Sequence, residues 1–268
     1  MLLVGLSNPA QAQTGIKLMG AVDGCKERRH FVDVSTFSHN GRYENPRLEV
    51  TCDDDFITVR TNSIINYEYV QITPTDMAVR NKTYRIPRKP RLAAGERQRV
   101  PLLGPIGVAV NGIPIFSANE SPRHNWGDPM PLGILDFCNG HTARGFYHYH
   151  ARPNCLVVDS NGSVGQVLGY AFDGYPIVSP YICLARNCKA KIKLRSSYRL
   201  IDGTPNANAW QANRYEPGYG DLDECNGKKL PGGGYAYFFT ERFPYSLACY
   251  AGEPQIEGNA NPRAPRDV

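Results

Sequence analysis

Long apolar runs at helical spacing are scarce in this chain of 268 residues, which argues against a helical bundle. Beyond the N-terminus, no stretch is long and apolar enough to span a bilayer. No Ser/His/Asp arrangement, phosphate-binding glycine loop or dinucleotide fingerprint occurs. The run Pro231-Gly232-Gly233-Gly234 is glycine-rich, but it precedes a strand pattern, so a turn is expected there rather than an anion cradle. Charge of one sign is not concentrated either. The net charge is +5, and two denser basic stretches, 80–99 and 189–199, lack an accompanying binding motif, so no nucleic-acid partner is expected. Histidine is sparse, with 6 residues in all.

Three of the six histidines fall in one stretch, from Asp136 to His150. Tyr147-His148-Tyr149-His150 alternates aromatic residues as a β-strand does. Residues i and i+2 of a strand share a face, so His148 and His150 project together, with the tyrosines behind them. His141 precedes a glycine-containing turn that can fold it back over the strand. Three imidazoles on one hairpin form a ligand set for a transition metal ion, and ligand type alone leaves zinc or copper open. His124, on the loop Pro122-Arg123-His124-Asn125-Trp126, is a candidate fourth ligand, although a surface-loop histidine is the blander account. Glu120, on the same loop, is the nearest candidate general base. Asp136 is a candidate for orienting an imidazole. His30 and His39 have no partners visible in the sequence.

Hydrophobic residues make up 41 % of the chain, enough for a core, and 26 glycines and 21 prolines imply many turns. Met1-Leu2-Leu3-Val4-Gly5-Leu6 leading to Ala10-Gln11-Ala12 reads as a signal-peptide remnant over 1–12, with mature sequence from about Gln13. Eight cysteines fit an oxidising compartment, and a periplasmic or secreted location follows. Alternating runs at 47–52 and 56–60 flank Asp53-Asp54-Asp55 and predict a hairpin with a solvated turn, with Cys25 and Cys52 as partners. Asn111-Gly112 between apolar runs predicts a type I′ hairpin turn. Pro114 predicts that its strand lies at an edge or bulge.

That hairpin pattern, G-x-A-x-[N/D]-G-x-P-I-x-S, occurs at Gly107–Ser117 and again at Gly169–Ser179. Leu135-Asp136-Phe137-Cys138-Asn139-Gly140 is matched by Leu222-Asp223-Glu224-Cys225-Asn226-Gly227. Each is followed by a Tyr-x-Tyr strand and a cysteine. We read an internal duplication, copy one over 101–160 and copy two over 165–252. Shared features read as scaffold: the Asx-type turns, the tyrosines and equivalent disulfides Cys138–Cys155 and Cys225–Cys249. Cys183 and Cys188 are left to pair, one choice among the 105 connectivities eight cysteines allow. In copy two His148 becomes Ala236, His150 becomes Phe238 and the place of His141 falls near Lys228. Losing three histidines together marks a shared ligand in copy one.

At these residues the chain resembles the YHYH family. Tyr147-His148-Tyr149-His150 is the family tetrad, Cys138-Asn139-Gly140-His141 its C-x-G-H, and Pro153-Asn154-Cys155-Leu156 its Pro-x-Cys-Leu. The resemblance runs from roughly Asp55 to Gly252. It implies a family and no reaction, so any metal must be argued from the histidines. The expected fold is mainly β, a disulfide-stapled sandwich or barrel-like domain over 13–255, with N-terminal strands over 20–90 and a flexible tail over 256–268. The leading expectation is a secreted or periplasmic protein binding a transition metal through His141, His148 and His150. The alternatives are a metalloenzyme on the same site, a zinc hydrolase or copper oxidoreductase, and a structural or adhesion module without metal.

Overall fold

The computed structural model describes residues 16–158, 163–183, 188–230, 233–259 and 265. The leader expected over 1–12, the mature start near Gln13, and Pro231 and Gly232 lie outside the described residues. β1 (Leu48–Cys52), β2 (Phe56–Thr61) and β3 (Lys82–Pro87) form a three-stranded antiparallel sheet. The β1–β2 turn is the acidic one, closed by Asp53 Oδ1, which accepts from the amides of Asp55 and Phe56 at 2.9 and 2.7 Å. These are ordinary Asx-turn bonds, as expected of a turn rather than a cation site.

After β4 (Gln98–Arg99) come β5 (Pro105–Ala109), β6 (Pro114–Phe116), β7 (Gly140–Ala143) and β8 (Phe146–Tyr149). The second half contains β9 (Val167–Ala171), β10 (Pro176–Val178), the ribbon β11 (Tyr181–Cys183) with β12 (Lys191–Lys193), and β13 (Tyr198–Leu200). The short helix α1 (Ala209–Ala212) then leads to β14 (Asn213–Tyr215), β15 (Gly227–Lys229), β16 (Tyr235–Phe238) and β17 (Cys249–Tyr250).

Eight of these strands form one sheet in the order β15-β16-β10-β9-β5-β6-β8-β7. The order has the same plan from either end. A hairpin lies inside, a third strand runs parallel to its second strand, and an outer strand returns antiparallel. The halves meet where β5 pairs antiparallel with β9. Val108 faces Tyr170 at the centre, flanked by Gly107 opposite Ala171 and Ala109 opposite Gly169. Equivalent residues of the two halves thus exchange places across this point, so the internal duplication is a two-fold pattern in the sheet. Ile57, Val59 and Ile86 of the small sheet share one core with Ile106, Ile115, Leu168 and Ile177 of the large one. The result is a sandwich-like packing and not a closed barrel.

The four disulfides are Cys25–Cys52, Cys138–Cys155, Cys183–Cys188 and Cys225–Cys249, two of them the equivalent pairs expected from the repeat. Two local expectations are corrected. The Asn-Gly hairpin is not a type I′ turn. Gly112 N–H donates to the Ala109 carbonyl at 2.9 Å, Ala109 N–H to the Ile113 carbonyl at 2.8 Å, and of the turn residues only Gly112 has positive φ, at 82°. That is the three-residue loop closed by a glycine bulge; Gly174, φ 92°, repeats it. Of the edge or bulge expected at Pro114, the edge is excluded, because β6 lies between β5 and β8, while the β5–β6 pairing does carry a register shift between Pro105 and Gly107. Proline is tolerated as the first residue of the strand, and β8 pairs only at Ile115. The tail expected beyond 255 also begins docked. Asn259 accepts from Arg85 N–H at 2.7 Å and donates to its carbonyl at 2.6 Å.

One clamp recurs in both halves. Asp136 Oδ1 accepts from the amides of Cys138 and Gly140 at 2.8 and 3.2 Å, and its Oδ2 from Tyr147 Oη at 2.6 Å. Asp223 repeats this with Cys225, Gly227 and Tyr235 at 3.0–3.1 Å. Asn139 and Asn226 both take φ 63°. Glycine is required next, since a Cβ at Gly140 or Gly227 would collide with the tyrosine hydroxyl. Tyr235→Phe removes the hydroxyl bond to the half-buried Asp223 and should lower stability by about 1 kcal/mol in urea unfolding. Unchanged stability would show that the clamp contributes nothing.

Candidate metal centre

The register of the β7–β8 hairpin places His141 directly opposite His148. His150 lies just past the end of β8, on the same face as His148. All three rings are buried, at 4 %, 3 % and 2 % exposure. Their ligand nitrogens lie within 4.8 Å of one another. His141 Nε2 is 3.1 Å from His148 Nε2 and 3.3 Å from His150 Nε2.

The chain around the rings fixes which nitrogen carries the proton. His148 Nδ1 contacts the Phe146 carbonyl at 2.9 Å, and His150 Nδ1 the Ser117 carbonyl at 2.7 Å. A carbonyl only accepts, so both Nδ1 atoms are donors and both neutral rings aim an Nε2 lone pair at His141. Burial is the main force keeping these rings neutral, reinforced by the neighbouring imidazoles. It holds His148 well below the ordinary histidine value and His150 down to about 4. Phe116 lies parallel against the His148 ring, with centroids 4.0 Å apart.

Glu120 comes from the loop after β6. Its Oε1 lies 3.2 Å from His141 Nε2 and 3.4 Å from His150 Nε2, with the side chain 10 % exposed. Burial pulls its pKa up, but the contact with His141 outweighs this and holds it below the ordinary carboxylate value. The sequence offered His124 as the fourth ligand. The structure puts His124 on the exposed rim and brings Glu120 to the imidazoles instead. Asp136 is spent on its turn and on Tyr147, and binds no imidazole. His30 contacts Tyr170 Oη at 2.5 Å and His39 the Ile65 carbonyl at 2.9 Å, so both serve the N-terminal packing. The second repeat has Lys228 opposite Ala236 where His141 faces His148.

The imidazole edges open on a cleft of about 1070 Å³, walled by Leu102, Leu103, Leu132 and Ile134, with Arg123 and Arg144 among its lining. Two acceptor nitrogens, a carboxylate and a third imidazole therefore converge on one buried point with at most one proton among them, carried by His141. Buried acceptors without donors are costly. A cation at that point would satisfy them together.

This fold and site define a twofold-repeated, disulfide-stapled β protein with a histidine cluster confined to its first half. The family model described as YHYH protein matches residues 83–252, and the chain belongs to that family. The match covers both halves of the large sheet and all three histidines, and leaves β1 and β2 outside. No curated protein and no solved structure matches the chain.

In metal-free protein at pH 6, nitrogen-15 spectra should show His148 and His150 neutral with the proton on Nδ1. Protonation of His150 should begin only as the pH falls toward 4, because burial lowers its pKa. An imidazolium signal at either residue at pH 6 would overturn this tautomer assignment.

Proposed function

We propose that the chain binds a transition metal ion through His141, His148 and His150. One observation carries the reading: three buried imidazoles converge through Nε2 at 3.1 and 3.3 Å, with the protons of two held on the far nitrogens. Ligands at about 2.0–2.1 Å in tetrahedral array lie about 3.3–3.4 Å apart, so the two spacings from His141 are those of a zinc or copper site. Carbonyl contacts to Nδ1 are the usual means of orienting a ligating histidine. Four disulfides support a periplasmic or secreted setting, where no free cysteine among the described residues competes for the ion. Among the described residues, no helix is long and apolar enough to cross a membrane.

A second reading has a specific observation in its favour. The site forms part of the wall of a cleft instead of being sealed in the core, so a small molecule can approach the ion. That arrangement suits a metalloenzyme better than a purely structural centre.

Protein prepared from an oxidising compartment should carry about one equivalent of metal by elemental analysis. His148→Ala with His150→Ala should abolish it, and Tyr235→Phe should leave it unchanged. Stripping with a chelator should lower the melting temperature of the wild type but not of the double variant. Full metal content in the double variant would place the site elsewhere.

A further inference from the structure

We infer that Glu120 is the fourth ligand of the histidine centre, that Trp210 of the second repeat positions it, and that the centre is therefore built for a divalent ion rather than copper(I). This rests on reading the three histidines as a metal site.

The geometry separates a ligand from a nearby base. A base acting through bound water stands outside the ring of ligand atoms. Glu120 Oε1 instead lies 3.2 and 3.4 Å from two of the imidazole nitrogens, the same spacing those nitrogens keep from one another. It is buried and makes no other hydrogen bond. The donor set is then three neutral nitrogens and one anionic oxygen. Imidazole and carboxylate suit zinc(II) or copper(II), whereas soft copper(I) is selected by thiolate and thioether ligands, which this set lacks.

The loop that carries the carboxylate is held from both repeats, and within the first Glu120 N–H donates to the Gly127 carbonyl at 2.8 Å. The connection from β6 to β7 spans 117–139. The corresponding connection in the second half spans 179–226 and carries the additional chain that forms α1. That chain crosses to the first-half loop. Trp210 Nε1 donates to Asn119 Oδ1 at 2.8 Å. Asn119 Nδ2 then donates to the carbonyls of Glu120 and Leu102 at 2.8 and 3.0 Å. Ala209 N–H donates to the Trp126 carbonyl at 3.0 Å, and Tyr245 Oη to Asp128 Oδ2 at 2.6 Å. The Trp210 ring is wedged edge-on against Phe243, with centroids 4.8 Å apart. Ser117, whose carbonyl holds His150, lies on the same loop. The repeat without histidines thus braces the loop that carries Glu120.

The test uses metal-stripped, full-length protein titrated with zinc(II), with cobalt(II) as the spectroscopic probe, and with copper(I) under anaerobic chelator competition. Glu120→Gln, nearly isosteric, should weaken zinc(II) by tenfold or more and alter the cobalt(II) visible spectrum, while copper(I) affinity stays as in the wild type. Trp210→Phe keeps an aromatic ring, smaller than the indole, and removes the N–H. It should move the cobalt(II) spectrum toward that of Glu120→Gln, while the metal-free protein still unfolds in one cooperative transition. His124→Ala should match the wild type throughout. Wild-type zinc affinity and cobalt spectrum in Glu120→Gln would overturn the ligand assignment. A wild-type spectrum in Trp210→Phe would overturn the positioning role, and equal losses of zinc(II) and copper(I) in Glu120→Gln would overturn the divalent preference. A wild type that binds neither zinc nor cobalt would instead refute the histidine centre itself.

Discussion

Burying a tyrosine hydroxyl without a partner is costly, and the tyrosines of β8 and β16 are arranged to avoid that cost. Tyr147 and Tyr235 donate to Asp136 and Asp223, and Tyr237 donates to Asp173. Tyr149 accepts from Asn111 and shares its hydroxyl with Tyr67. These contacts pin β8 and β16 to the turns and hairpins beside them. A one-residue slip would turn every tyrosine away from its partner, so the register is fixed. Fixing the tyrosines on one face also fixes what alternates with them on the other. In β8 that is His148, continued by His150; in β16 it is Ala236 and Phe238.

The two halves use the same frame for different ends. In the second half, Ala236 and Phe238 pack with Val178, Leu194 and Leu222 in a small apolar cluster, which closes the face against water. In the first half the equivalent face carries three imidazoles and opens on a cleft. Duplication gives two scaffolds of equal geometry, and only one must keep polar groups whose burial costs stability. The other is free to pack, and its longer β10–β15 connection reaches back to brace the first. The asymmetry is therefore cooperative: one half carries the imidazoles, and the other braces the loop that faces them.

Much of the centre was legible in the residues because it is local. His141, His148 and His150 lie on one short hairpin, and strand periodicity with a turn is enough to bring them together. The disulfide pairs were legible for a related reason, since the repeat supplied its own internal comparison. Glu120 was visible only as the acid nearest the motif, because nothing in its spacing ties it to the histidines. The turn type at Asn111-Gly112 was misread because Asn-Gly suits both a type I′ turn and a type I turn with a glycine bulge, and the choice depends on strand register. Pro114 suggested an edge or a bulge, and the edge failed because β8 pairs with β6 at only one residue, which leaves the missing N–H without cost.

The sequence by itself determined a mainly β chain, its duplication and a three-histidine hairpin. All of these follow from periodicity and from short-range turn chemistry, which act over a few bonds. Only the tertiary structure decided that Glu120 rather than His124 meets the imidazoles, that Nδ1 carries the proton in two of them, and that Trp210 supports the loop from the other half. Those outcomes depend on burial and on contacts between segments far apart in the chain, where packing, and not local preference, sets which polar groups must satisfy one another.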